Sequence, residues 1–202
     1  MATTSATKDA PPVRRPRGRP RDPRVEGAVL GATRELLLER GYGGLTIAAV
    51  ADAAGVGKGT IYLRWPDKEA LVVGALAEVW EPVVDIDTGN LHDDLLGILT
   101  TSMRGMNGRD GRMFTEIVAE LSRSGPLKTY WMNEISRPWV EVVTACFTRG
   151  IARGEMRADV DIQAATQVLL SPPATAGMMS DKKITARQVN AWLDIFLRGV
   201  AP

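Results

Sequence analysis

Residues 46 to 65 read TIAAVADAAGVGKGTIYLRW, and this run restricts the fold more than any other stretch of the chain. Thr46 is a good helix N-cap, because its hydroxyl oxygen can accept an amide hydrogen left free in the first turn. Behind it Ile47, Val50, Ala51 and Ala54 share one helical face, and Gly55 supplies the stop. Gly57 then caps a second short helix in which Ile61 and Tyr62 begin a buried face. Pro66 and Asp67 break that helix, and Asp67 caps a third that runs through Lys68, Leu71, Leu76 and Trp80 until Pro82. Two short helices joined by a glycine-containing turn and braced by another form a helix-turn-helix. Ala51, Ala54 and Gly55 are small because the two helices cross closely.

The same letters contain Gly-Lys-Gly-Thr and invite comparison with a nucleotide phosphate loop. That loop needs Gly, four residues, Gly-Lys and then Ser or Thr, after a buried strand. Here Gly59 follows Lys58, Asp52 holds the early glycine position, and an alanine-rich helix precedes the turn. The phosphate-loop reading fails on all three counts.

Aromatics make up only 5% of the 202 residues, a composition that favours packed helices, and the fold class expected is all-α with about nine helices. Val25, Val29, Ala32, Leu36 and Leu37 put a first helix over residues 23 to 40, stopped by Gly41. Further amphipathic helices are expected from His92 to Gly105 and from Arg109 to Ser124. A long one from Pro126 to Arg153 should be kinked by Pro138, and Asp161 to Leu170 and Thr185 to Gly199 complete the set. Pro172 and Pro173 suggest a loop before the last helix. Three regions are expected: a disordered basic arm at 1–22, a helix-turn-helix domain at 23–66 and a helical effector-binding and dimerisation domain at 67–202.

Charge is distributed unevenly. Residues 1–65 carry 11 Lys or Arg against 6 Asp or Glu, whereas 66–202 carry 14 against 18. A basic front on an acidic body suits a nucleic-acid-binding end. The core of the arm, RRPRGRPR, resembles an AT-hook, in which Arg17, Arg19 and Arg21 would lie along a narrow minor groove. General attraction to phosphates is the alternative.

Residues 24 to 71, above all TIAAVADAAGVGKGTIYLRWPDKEAL, resemble the DNA-binding domain of the TetR (tetracycline-repressor) family. The resemblance implies that the helix around Gly57 to Leu63 enters the major groove, with Lys58, Gly59 and Thr60 at base edges. It also implies that Thr46, Tyr62 and Lys68 hold phosphates, which positions the protein without reading sequence. Gly57 stands where the family often has serine. Leu63-Arg64-Trp65 replaces the commoner Tyr-His-Phe, placing a cation beside the backbone and Trp65 in the core.

Beyond Pro82 the resemblance is architectural. It implies a small-molecule effector among the body helices, for which Met103, Met106, Met113, Phe114, Trp131, Trp139 and Phe147 are candidates. Few buried charges are expected there, so the effector should be apolar or weakly polar. The stripe Val189, Trp192, Leu193, Phe196, Leu197, Val200 implies a homodimer built on the last two helices. Its two recognition helices would meet a palindromic double-stranded operator one DNA turn apart.

The function expected is a transcriptional regulator, a repressor released by its effector; the alternative is a constitutive architectural DNA-binding protein. No cofactor, metal or catalytic group is expected. Cys146, the single cysteine, lies on an apolar stripe, and His92, the single histidine, sits beside Asp93 and Asp94 at a helix start. Residues 1–22 lack the apolar centre of a secretion signal, and 162–180 are broken by prolines and polar residues, so a cytoplasmic protein without a membrane span is expected.

Overall fold

The computed structural model describes residues 23–108, 111–179 and 182–202. The arm at 1–22, with Arg17, Arg19 and Arg21, lies outside the described residues. Among those described, every regular element is helical and there is no strand.

Four helices build the amino-terminal head: α1 (Pro23–Gly44), α2 (Ile47–Ala54), α3 (Lys58–Tyr62) and α4 (Lys68–Val79). Gly41 interrupts α1 where expected, with φ of 66° and ψ of 176°, and one last turn follows before Leu45. Val29, Leu37, Val50, Ile61 and Leu71 are fully buried together, so the apolar faces read from the sequence meet in one core. Trp65 joins them by lying on Gly74 of α4, where an added Cβ would sit 2.7 Å from the indole Nε1.

The body contains α5 (Leu91–Asn107), α6 (Gly111–Glu120), α7 (Gly125–Trp131), α8 (Arg137–Ala152), α9 (Ile162–Met179) and α10 (Ala186–Val200). A five-residue π turn, Met132–Ser136, joins α7 to α8, so the long helix expected from 126 to 153 is two rods in series. The expected disturbance at Pro138 takes this form. Proline has no N–H and its ring crowds the carbonyl four residues back. The preceding turn widens instead, and the Arg137 amide donates to the carbonyl of Met132.

The loop expected at Pro172-Pro173 is corrected: α9 runs through both prolines to Met179. Each proline removes one helical hydrogen bond, a loss of about 3 kcal/mol in an isolated helix interior. Burial of Leu169 and Pro173 against the body offsets that loss, and propensity gives way to packing. α10 begins as expected, with a capping box in which Gln188 N–H donates to Thr185 Oγ1 at 3.3 Å and Thr185 N–H to Gln188 Oε1 at 3.0 Å.

A second core joins α5, α8, α9 and α10, with Phe147 stacked on Phe196 at 5.5 Å. The segment between α4 and α5 is held to this core by charge. Arg149 makes two hydrogen bonds to Asp85, at 2.7 and 3.0 Å, and Arg153 pairs with Asp87 and with the fully buried Asp94. Asp94 also accepts from the Thr88 amide and hydroxyl, both at 2.7 Å.

Candidate nucleic-acid interface and effector cavity

The reading surface is shaped by its caps. Thr46 Oγ1 accepts the Ala49 amide at 3.1 Å and starts α2; Gly55, left-handed at φ 66°, ends it. Gly57 then takes the cap position of α3 and, having no side chain, offers no side-chain acceptor to the first turn. Ile61 is the only fully buried residue of α3, so its remaining positions face outward: Lys58, Gly59 and Thr60 are exposed, and Tyr62 is half-exposed. Lys58 makes no ion pair with any described residue. Leu63, the last residue of the helix expected in the major groove and without an expected contact of its own, is 87% exposed beside Tyr62, an apolar side chain on a polar face. Its spacing of three from Thr60 was the available signal.

Two cations behave otherwise. The Lys68 ammonium lies 2.5 Å from the Tyr42 carbonyl and 4.0 Å from the centre of that ring, and its burial there lowers its pKa. Arg64, expected beside the DNA backbone, pairs with Glu26 of α1 at 3.3 Å and is largely covered, so it braces the head.

A cavity of about 150 Å³ opens between the body helices. Of the seven expected effector residues, Met106, Phe114, Trp131 and Trp139 line it. Met103, Met113 and Phe147 do not: Met113 is buried in the head's core, while Met103 and Phe147 belong to the second core. Trp80, Ser102, Ile135, Ser136, Leu170 and Ala174 complete the wall. Ser102 stands four residues before Met106 on α5, so the helical repeat brings it to the same side of the helix. Leu170 and Ala174 were hidden by the proline pair, which suggested a loop where α9 continues.

The wall is aromatic and uncharged. Trp80 stacks on Phe114 at 4.4 Å, and Phe114 meets Trp131 at 4.8 Å and 60°. Ser102 and Ser136 are its two hydroxyls. Among the described residues no three His, Cys, Asp or Glu side chains are placed to hold a metal ion. Cys146 is buried away from the cavity, and burial pushes its thiol up to about 12. No helix among the described residues is long and apolar enough to cross a membrane.

Cavity and head share structure. Trp131 and Ile135 line the cavity and also belong to the core of the head, together with Met113, Ile117 and Leu127 of α6 and α7. One residue before Trp131, the Tyr130 hydroxyl donates to Asp67 at 3.2 Å, and Asp67 caps α4 through the Ala70 amide at 2.7 Å.

Comparison with known proteins agrees with this architecture over both parts. Residues 29–75 match the model of the bacterial regulatory proteins of the tetR family, and 85–196 match the tetracyclin repressor-like C-terminal domain. A helix-turn-helix-type transcriptional regulator of Mycobacterium tuberculosis is 33% identical over 143 residues, 68% of this chain and 70% of its own. The crystal structure of a TetR family transcription regulator, 30% identical, superposes with a TM-score of 0.67 over 88% of this chain and 99% of the other. FadR of Bacillus subtilis, solved in complex with stearoyl-CoA, shares the fold at a TM-score of 0.73 and 22% identity, over 87% and 99% of the two chains. With the exposed α3 and these matches together, the chain belongs to the tetR family of bacterial regulatory proteins and is a DNA-binding transcriptional regulator.

Proposed function

We propose that the chain is a homodimeric repressor that grips a palindromic operator through α3 and lets go when an apolar or weakly polar effector enters the aromatic cavity. The carrying observation is that Trp131 and Ile135 belong at once to the cavity wall and to the core of the head. A ligand that repacks that wall changes the seat of α4, and α4 carries α3. In this reading Lys58, Gly59 and Thr60 meet base edges, and Thr46 and Tyr62 meet phosphates. Lys68 ties α4 to α1 through the Tyr42 carbonyl, and its ammonium keeps further N–H donors for a phosphate. The basic arm adds charge along the duplex.

The exposed Val168 and Ile195 on α9 and α10 supply an apolar face for the second protomer. FadR of Bacillus subtilis in its stearoyl-CoA complex lends support to a small-molecule effector in this fold. A constitutive architectural protein would need neither a cavity nor a junction between cavity and head.

Selection of bound duplexes from a random library tests the reading. An enriched inverted repeat, released by compounds from a subsequent screen, is the expected result. Retention of all sequences alike, with no compound causing release, would favour the architectural alternative.

A further inference from the structure

The aromatic cavity is small for a complete ligand site. At about 150 Å³ it falls short of the roughly 300–1,000 Å³ typical of small-molecule pockets. A second cleft of about 460 Å³ lies next to it, and Met106 is a wall of both. Together the two reach the usual size. Their chemistry differs sharply: the first is uncharged and aromatic, whereas Arg112, Lys182 and Lys183 stand on the rim of the second.

The partition is fitted to its place. A Cβ on Gly111 would come within 2.0 Å of the Met106 carbonyl oxygen, and one on Gly177 within 2.3 Å of the Met106 methyl. The two glycines thus leave room for Met106 from opposite helices, α6 and α9. The cleft itself is clasped by Asn107, whose side-chain NH2 donates to the Ile184 carbonyl and whose Oδ1 accepts the Ile184 amide, both at 2.7 Å. An unbranched thioether between two compartments turns about three bonds and yields at low cost.

We infer that the effector is an amphiphilic anion, its apolar chain or ring in the aromatic cavity past Met106 and its carboxylate or phosphate in the cleft beside Arg112 and Lys183. This rests on the proposed function, since it names the class of ligand for the same cavity. A desolvated tail and a hydrated, charge-paired head give each compartment the part of the ligand it suits.

Calorimetric titration of the full-length chain with two matched pairs, octanoate against octan-1-ol and 2-naphthoate against 2-naphthol, tests the assignment. At least one acid should bind about tenfold more tightly than its alcohol, and the preference should shrink as salt is raised. The double variant Arg112→Glu with Lys183→Glu, at two exposed positions, should abolish the preference and leave the alcohol's affinity and the melting temperature unchanged. Acid and alcohol binding equally would overturn the anionic head while leaving the cavity reading intact. A preference that survives the double variant would overturn the cleft as the head's site. No binding by any of the four would overturn the inference and count against the cavity as an effector site.

Discussion

At the scale of single residues, Lys58 and Asp94 show two opposite uses of charge. Lys58 stands exposed at the start of α3, and the proposed role sets its ammonium against a guanine edge. Lys58→Ala should cost about 1–3 kcal/mol of operator binding and flatten the preference at one base pair. Affinities across single-base operator variants measure this. Asp94 is fully buried and holds the segment before α5. Burial pushes its carboxyl upward, but the Thr88 hydrogen bonds and the Arg153 guanidinium outweigh it and hold the group below its ordinary range. Because the folded pKa is depressed, the stabilisation is present above the unfolded value of about 3.9 and is lost as pH falls through the folded value. Asp94→Asn should therefore cost about 1–3 kcal/mol at neutral pH. Melting curves from neutral to acid pH should show the difference from the parent shrinking once the medium is more acidic than the unfolded value.

At the scale of elements, the head was legible because its signals are local. Thr46, Gly55, Asp67 and Gly41 each fix a boundary by their own chemistry, and the structure puts the boundaries there. Proline proved harder to read, since its effect depends on what surrounds it. Pro138 disturbs its helix as expected, but as a π turn upstream that the pattern of apolar residues does not reveal. Pro172 and Pro173 end nothing, because α9 is held against the body by the residues around them. The π turn has a function in this account. A π turn holds more residues per turn than an α-helix, so tightening it would turn the rod before it relative to the rod after it. Pro138→Ala, which restores an amide donor, should draw the turn back to regular helix and swing Trp131 and Ile135 relative to Trp139. The variant should still melt cooperatively, at a lower temperature than the parent because Trp131 and Ile135 shift in the core of the head, while the effector concentration needed for operator release rises about tenfold. Release assays and thermal melts on one sample distinguish that outcome from simple misfolding.

At the scale of the whole molecule, four of the seven effector candidates line the cavity and three lie elsewhere, and the reason is geometric. Met103, Met113 and Phe147 have the right residue type, but which helix face turns to the cavity is set by long-range packing. The joint between head and body was not legible at all. Tyr130 and Asp67 are 63 residues apart and meet only in the folded chain. That joint makes the regulator a two-state device in this account. The effector and the operator each favour one arrangement of α6 and α7 on α4, and each must then oppose the other to the same degree. The most direct measurement is the dissociation constant of an effector found by the release screen, taken for the free protein and for the operator complex under the same conditions. Effector binding to the complex should be weaker, by the same factor with which the effector weakens operator binding; equal constants for the two forms would contradict this coupling.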